Sequence, residues 1–119
     1  MRENIIQTKS YAFASRIVKA YRYLVAEHRE YVLSKQLLRS GTSIGANVEE
    51  ALAAASRADF VHKLTIAAKE ARETNYWLRL LHDNDFLPTP IFPFFRISMS
   101  LAKSSPAFWS APRATINNY

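Results

Sequence analysis

Three histidines, ten carboxylates and no cysteine bound the chemistry open to this 119-residue chain. Without a thiol there is neither a disulfide framework nor a thiolate metal site, and a reducing compartment, the cytoplasm, is the expected location. A di-metal helical site needs inward-pointing glutamates and two Glu-x-x-His pairs. Asp59 and His62 form the one near match, and Asp59 reads better as a helix cap. His28, His62 and His82 fall at dispersed positions suited to a surface or boundary, so neither a metal nor any other cofactor is expected. Nucleophilic catalysis needs a hydroxyl held by a base that a third group orients. Ser40 and Ser43 have no histidine within one helical turn. A chain with two glycines also lacks a glycine-rich phosphate loop or a strand-turn-helix elbow. No catalytic centre is expected.

Binding chemistry is better supplied. Placed at about 100° per residue, Gln36, Ser40, Ser43, Asn47 and Glu50 fall within an arc of about 80° beside an apolar stripe. Short hydrogen-bonding side chains in that position suit a buried polar network at a helix or subunit junction, and a solvated flank is the plainer alternative. Further along, Ile66, Trp77 and Leu80 group with Glu70 and Glu73 on a face turned about 100° or more from the core positions Phe60 and Leu78. A single core does not cover both faces, so this one reads either as the edge of a wide core or as a subunit interface. Near the start of the chain Lys9, Arg16, Lys19, Arg22 and Arg29 share a side, with Tyr11 and Tyr23 near it. Such a stripe suits phosphate neutralisation with aromatics free to stack on bases, although Glu27 and Glu30 dilute it and solvated surface explains it equally.

The elements that position these residues are helices. One runs from near Asn4 to near Glu27 with Ile6, Phe13, Ile17, Ala20, Tyr21 and Leu24 on its core side. A second runs from about Tyr31 to Ala55 with Leu33, Leu37, Ile44, Val48, Leu52 and Ala55 inward. Gly41 and Gly45 lie beside that stripe, where their cost in helix propensity implies close approach of another backbone. Ser56 with Asp59 forms a variant capping box opening a third helix that carries Phe60, Leu64, Ala67, Ala71 and Leu78 and ends near Asp83. Short polar connections imply antiparallel, up-and-down packing, and such bundles close with a fourth helix. The expected fold class is therefore all-α, an antiparallel four-helix bundle in one domain, with no segment suited to membrane spanning. Residues 1–87 supply three helices, and 88–119 is an atypical tail in place of the fourth. All five prolines lie in the tail and no acid does. Proline inside a helix costs ~3 kcal/mol, so the tail is not one continuous helix. Of the formal net charge of +6, half comes from this tail, since thirteen Lys and Arg against ten acids precede it.

The runs YVLSKQLLRSGTSIGANVEEALAAA (31–55) and SRADFVHKLTIAAKEARETNYWLRLL (56–81) resemble the bacterial four-helix-bundle proteins encoded in intervening sequences of large-subunit ribosomal RNA genes. Some members of that family carry a ribosomal-protein label. The resemblance covers about residues 4–87. It implies an antiparallel four-helix protomer, a pentameric ring and no established catalytic activity. It also extends to the accessory protein of diversity-generating retroelements, a basic ring that associates with a reverse transcriptase and RNA. RNA is thus an expected partner, as is a protein such as a reverse transcriptase or a ribosome-associated factor. A protein-only oligomeric scaffold is the alternative. Arg39, Ser43, Asn47, Glu70, Glu73, Tyr76 and Trp77 match the family-type positions. The family's amphipathic fourth helix is missing. Reading 95–119 from the third base of each codon yields, among its choices, a proline-free amphipathic string with acids restored. A single-base frameshift near Thr89 to Pro93 is the expected cause, and a genuine divergent tail packing in irregular form over the open side of three helices is the alternative.

Overall fold

A computed structural model describes residues 4–88, which form three α-helices and, among the described residues, no strand: α1 (Ile5–His28), α2 (Leu33–Leu52) and α3 (Arg57–Asp83). Each helix start has its own solution for the orphan backbone donors. Asn4 caps α1, its side chain accepting from Gln7 N at 2.9 Å. Ser56 caps α3, accepting from Asp59 N at 3.1 Å, which is the hydroxyl half of the expected box. Such caps contribute about 1 kcal/mol each. For α2 the N-cap Val32 offers no side-chain oxygen. Glu30 substitutes from two residues upstream: its carboxylate accepts from Val32 N at 3.1 Å, Leu33 N at 3.0 Å and Ser34 N at 2.7 Å.

The α1–α2 turn is tied to the end of α1 as well. Arg29 takes up a left-handed conformation (φ 50°, ψ 36°), letting its N–H reach Val25 O at 3.1 Å while Glu30 N reaches Leu24 O at 3.2 Å. These bonds satisfy carbonyls that the helix end would otherwise leave unpaired.

α2 packs against both α1 and α3 and is the central element of the three. The core is Phe13, Ile17 and Leu24 of α1, Leu37, Ile44 and Val48 of α2, and Leu64, Leu78 and Leu81 of α3, with Leu87 beyond the last helix. Burying each large apolar side chain contributes about 1.5–3 kcal/mol. The two glycines mark where α1 lies closest. A Cβ on Gly41 would stand 2.7 Å from both Cγ atoms of Ile17, and one on Gly45 would stand 3.4 Å from Ser10 O. Rising α2 numbers meet falling α1 numbers, so the pair is antiparallel, as expected.

Three expectations change. α2 spans 33–52 rather than 31–55, because residues 53–56 turn the chain into the Ser56 cap. Leu52 and Ala55 consequently leave the core stripe, Leu52 being 43% exposed. Arg29 leaves the basic helical stripe, because it terminates α1. The expected fourth helix, the tail and its frameshift all lie outside the described residues.

Candidate functional site

The α2–α3 surface gathers the polar and aromatic residues that the sequence set apart. Arg39, facing out from α2, meets two carboxylates one turn apart on α3: Nη1 lies 3.2 Å from Glu70 Oε2, and Nη2 donates to Glu73. Glu73 also accepts from Trp77 Nε1 at 3.0 Å. Tyr76 then stands edge-on to the indole, with centroids 5.1 Å apart. Burial weighs against the Arg39 charge, but the Glu73 hydrogen bond and the nearby Glu70 charge outweigh it and raise the guanidinium above its ordinary value. One cation therefore holds two anions in a shared, half-exposed cluster. Ile66, Trp77 and Leu80 are each half-buried around it, while Tyr76 is exposed.

Beneath this cluster runs a polar seam. Ser40 and Thr74 are fully buried, with their hydroxyls 2.9 Å apart. Ser40 Oγ also lies 3.4 Å from Leu37 O, and Thr74 Oγ1 lies 2.7 Å from Glu70 O. Two hydroxyl protons are shared among these three contacts at the α2–α3 junction, two of which are donated at any one time. Of the expected polar stripe, Ser40 alone is buried within the protomer. Ser43 and Asn47 are half-buried, with Asn47 Nδ2 donating back to Ser43 O at 2.9 Å. Gln36 and Glu50 are exposed, so within one protomer they flank the seam rather than join it. Thr74 is the member that the sequence reading missed. A hydroxyl at a core angle between Ala71 and Leu78 was the available signal.

On the far side, Lys9, Arg16, Lys19 and Arg22 are exposed along α1, as are Tyr11 and Tyr23. They form one outward face, since α1 turns Ser10, Phe13, Ile17, Ala20 and Leu24 into the body. Arg29 is exposed at the end of that helix. His28 and His62 are exposed and His82 is half-buried. His28 sits between Tyr23 and Phe86, each ring centroid 5.5 Å away. Among the described residues no group of three or more His, Cys, Asp or Glu could hold a metal ion. No described helix is long and apolar enough to cross a membrane.

Comparison with known proteins gives this surface a context. A profile described as "23S rRNA-intervening sequence protein" matches residues 2–96. Among solved structures, a protein of unknown function from the S23 ribosomal protein family of Bacteroides thetaiotaomicron is 46% identical, with a TM-score of 0.85. The match covers 90% of this chain and all of that one. No curated protein matches.

Proposed function

The chain belongs to the 23S rRNA-intervening sequence protein family, and from that membership we propose a non-enzymatic homo-oligomer that acts as an RNA- or ribonucleoprotein-associated adaptor. The Arg39–Glu70–Glu73–Trp77 cluster carries the assembly half of this reading. An indole and a tyrosine beside a guanidinium have the composition of interface anchors, and Trp77 sits at the edge of the protomer core with part of its ring still open. Five copies in a ring, each a four-helix bundle, is the arrangement expected from the resemblance. The RNA half is supported by the family's place in ribosomal RNA genes and by the exposed cations of α1. The dispersed histidines and the sealed Ser40–Thr74 pair support a role without catalysis.

Binding to a fluorescent single-stranded RNA, measured from low to high NaCl, tests the RNA half. Affinity is expected to fall steeply with salt and to fall again when Arg16, Lys19 and Arg22 are changed together to Gln. Equal affinity of that triple variant and the parent removes α1 from RNA recognition. Salt-insensitive association with a protein instead favours the protein-only scaffold.

A further inference from the structure

Where α1 lies against α2, the two helices together make an outward surface that is almost without charge. Tyr11, Ala14, Val18 and Tyr21 follow one flank of α1 at alternating 3 and 4 spacing, the spacing at which one helix receives another. Gln7, on the same flank, donates from Nε2 to both carboxylate oxygens of Glu49 at 3.0 Å, so this flank borders α2. On α2 the positions Lys35, Leu38, Thr42, Gly45 and Glu49 keep the same spacing beside the buried stripe. Tyr11 is 75% exposed and Val18 38%. Thr42 Oγ1 lies 2.7 Å from Leu38 O, so its hydroxyl is satisfied within α2. Charge stands at the two ends, Glu49 at one and Lys35 at the other, each seven positions from Thr42, with Arg22 at the margin near Lys35. Lys9, Arg16 and Lys19 are turned away, on the other side of α1.

We infer that this surface pairs with its own twin on a second copy, about a two-fold axis that crosses α2 at Thr42 and runs the helices of the two copies antiparallel. Pairing in the parallel sense would set Glu49 on Glu49 and Lys35 on Lys35. The antiparallel sense sets each Glu49 opposite the other copy's Lys35, because both stand at the same distance from the axis. Gly41 packs on Ile17 and Gly45 on Ser10, which puts the Thr42 level of α1 near residues 15 and 16. Tyr11 of one copy then falls beside Val18 and Tyr21 of the other, and the small Ala14 and Gly45 leave room for its ring. Two helices about 30 Å long lying roughly 8–10 Å apart present on the order of 600 Å². That is the lower end of the roughly 600–1,000 Å² per partner that a stable contact buries. The contact is isologous and closes on itself after two copies. It lies on the opposite edge of α2 from Arg39, so it is separate from any contact at the α2–α3 cluster and leaves Lys9, Arg16 and Lys19 free of it.

The chain has no cysteine, so one introduced thiol reports its own neighbourhood. Full-length Thr42→Cys is expected to form a covalent dimer under mild oxidation, since a residue on the axis meets itself. Lys69→Cys, exposed on α3, is the control and is expected to stay single. Charge exchange tests the register. Lys35→Glu or Glu49→Lys alone is expected to weaken pairing about tenfold in sedimentation, and the two together to restore it. Unchanged helical circular dichroism checks the fold, since both residues are exposed. In a Trp77→Ala background the mass is expected to settle at twice the 13.6 kDa of one chain. One chain mass in that background overturns this contact and leaves assembly through the α2–α3 cluster standing. A monomeric parent overturns both. An oligomeric parent that Lys35→Glu does not weaken, a double exchange that does not restore pairing, or a Thr42→Cys chain that stays single overturns the two-fold contact alone.

Discussion

Glu30 does with one carboxylate what the α2 N-cap residue cannot, collecting three backbone N–H groups at the positive end of the helix. Burial pushes its carboxyl up, but the donors from Ser34, Leu33 and Val32, with the Ser34 hydroxyl, outweigh that and leave it below its ordinary value. A depressed folded pKa means stability that is complete above the unfolded value and is lost as pH falls through the folded one. Glu30→Ala is therefore expected to cost about 1–2 kcal/mol at neutral pH. The gap from the parent should narrow as urea melts are repeated below the ordinary carboxyl value of 4.5. A gap constant with pH would show that the charge is not what matters. The glycines make an opposed pair of predictions. Gly41→Ala drives a methyl into the fully buried Ile17 and is expected to destabilise by about 1–3 kcal/mol. Gly45→Ala meets Ser10 O at ordinary contact distance and is expected to gain up to about 1 kcal/mol from helix propensity. Thermal melts of the two variants should move in opposite directions.

Between elements, the buried Ser40–Thr74 seam is the link most open to a double-mutant cycle. Ser40→Ala and Thr74→Val are each expected to cost about 1 kcal/mol, and the pair together less than the sum, because removing both hydroxyls leaves neither without its partner. Strict additivity would mean that the two hydroxyls do not interact. The seam also shows where the sequence could be read and where it could not. α1 and α3 were legible because apolar residues recur at helical period and because Asn4 and Ser56 are capping residues. The close approach at Gly41 and Gly45 followed from the cost of glycine in a helix. The end of α2 was misplaced because Ala53, Ala54 and Ala55 are good helix formers, and what stops the helix is the geometry needed to reach the Ser56 cap. Glu30 read as a dilution of a basic stripe, since its capping role depends on a chain reversal. Helical angles grouped Glu70, Glu73 and Trp77, but Arg39 entered through family resemblance alone. Its partners lie 31 and 34 residues away, and only the packing angle of α2 on α3 brings them together.

At the scale of the whole molecule, Trp77 bears on both fold and assembly. It packs at the edge of the core and donates to Glu73, so Trp77→Ala should lower the melting temperature yet leave helical circular dichroism at room temperature while reducing oligomer mass in light scattering. Unchanged mass would place the interface elsewhere. The tail bears on the same scale, and sequencing the genomic locus tests the proposed frameshift directly: a confirmed written frame with no acidic helix encoded beside it refutes it. The turn from Arg29 to Val32 has a further consequence, for the order of folding. Its left-handed residue, the two bonds back to α1 and the carboxylate over α2 all join residues within six positions of one another, so they form before any distant contact has to be found. α1 and α2 should already be a hairpin in the transition state, with α3 adding afterwards. Glu30→Ala, at a cost near 1 kcal/mol, should then slow refolding about fivefold and leave the unfolding rate almost unchanged, whereas Thr74→Val should chiefly speed unfolding.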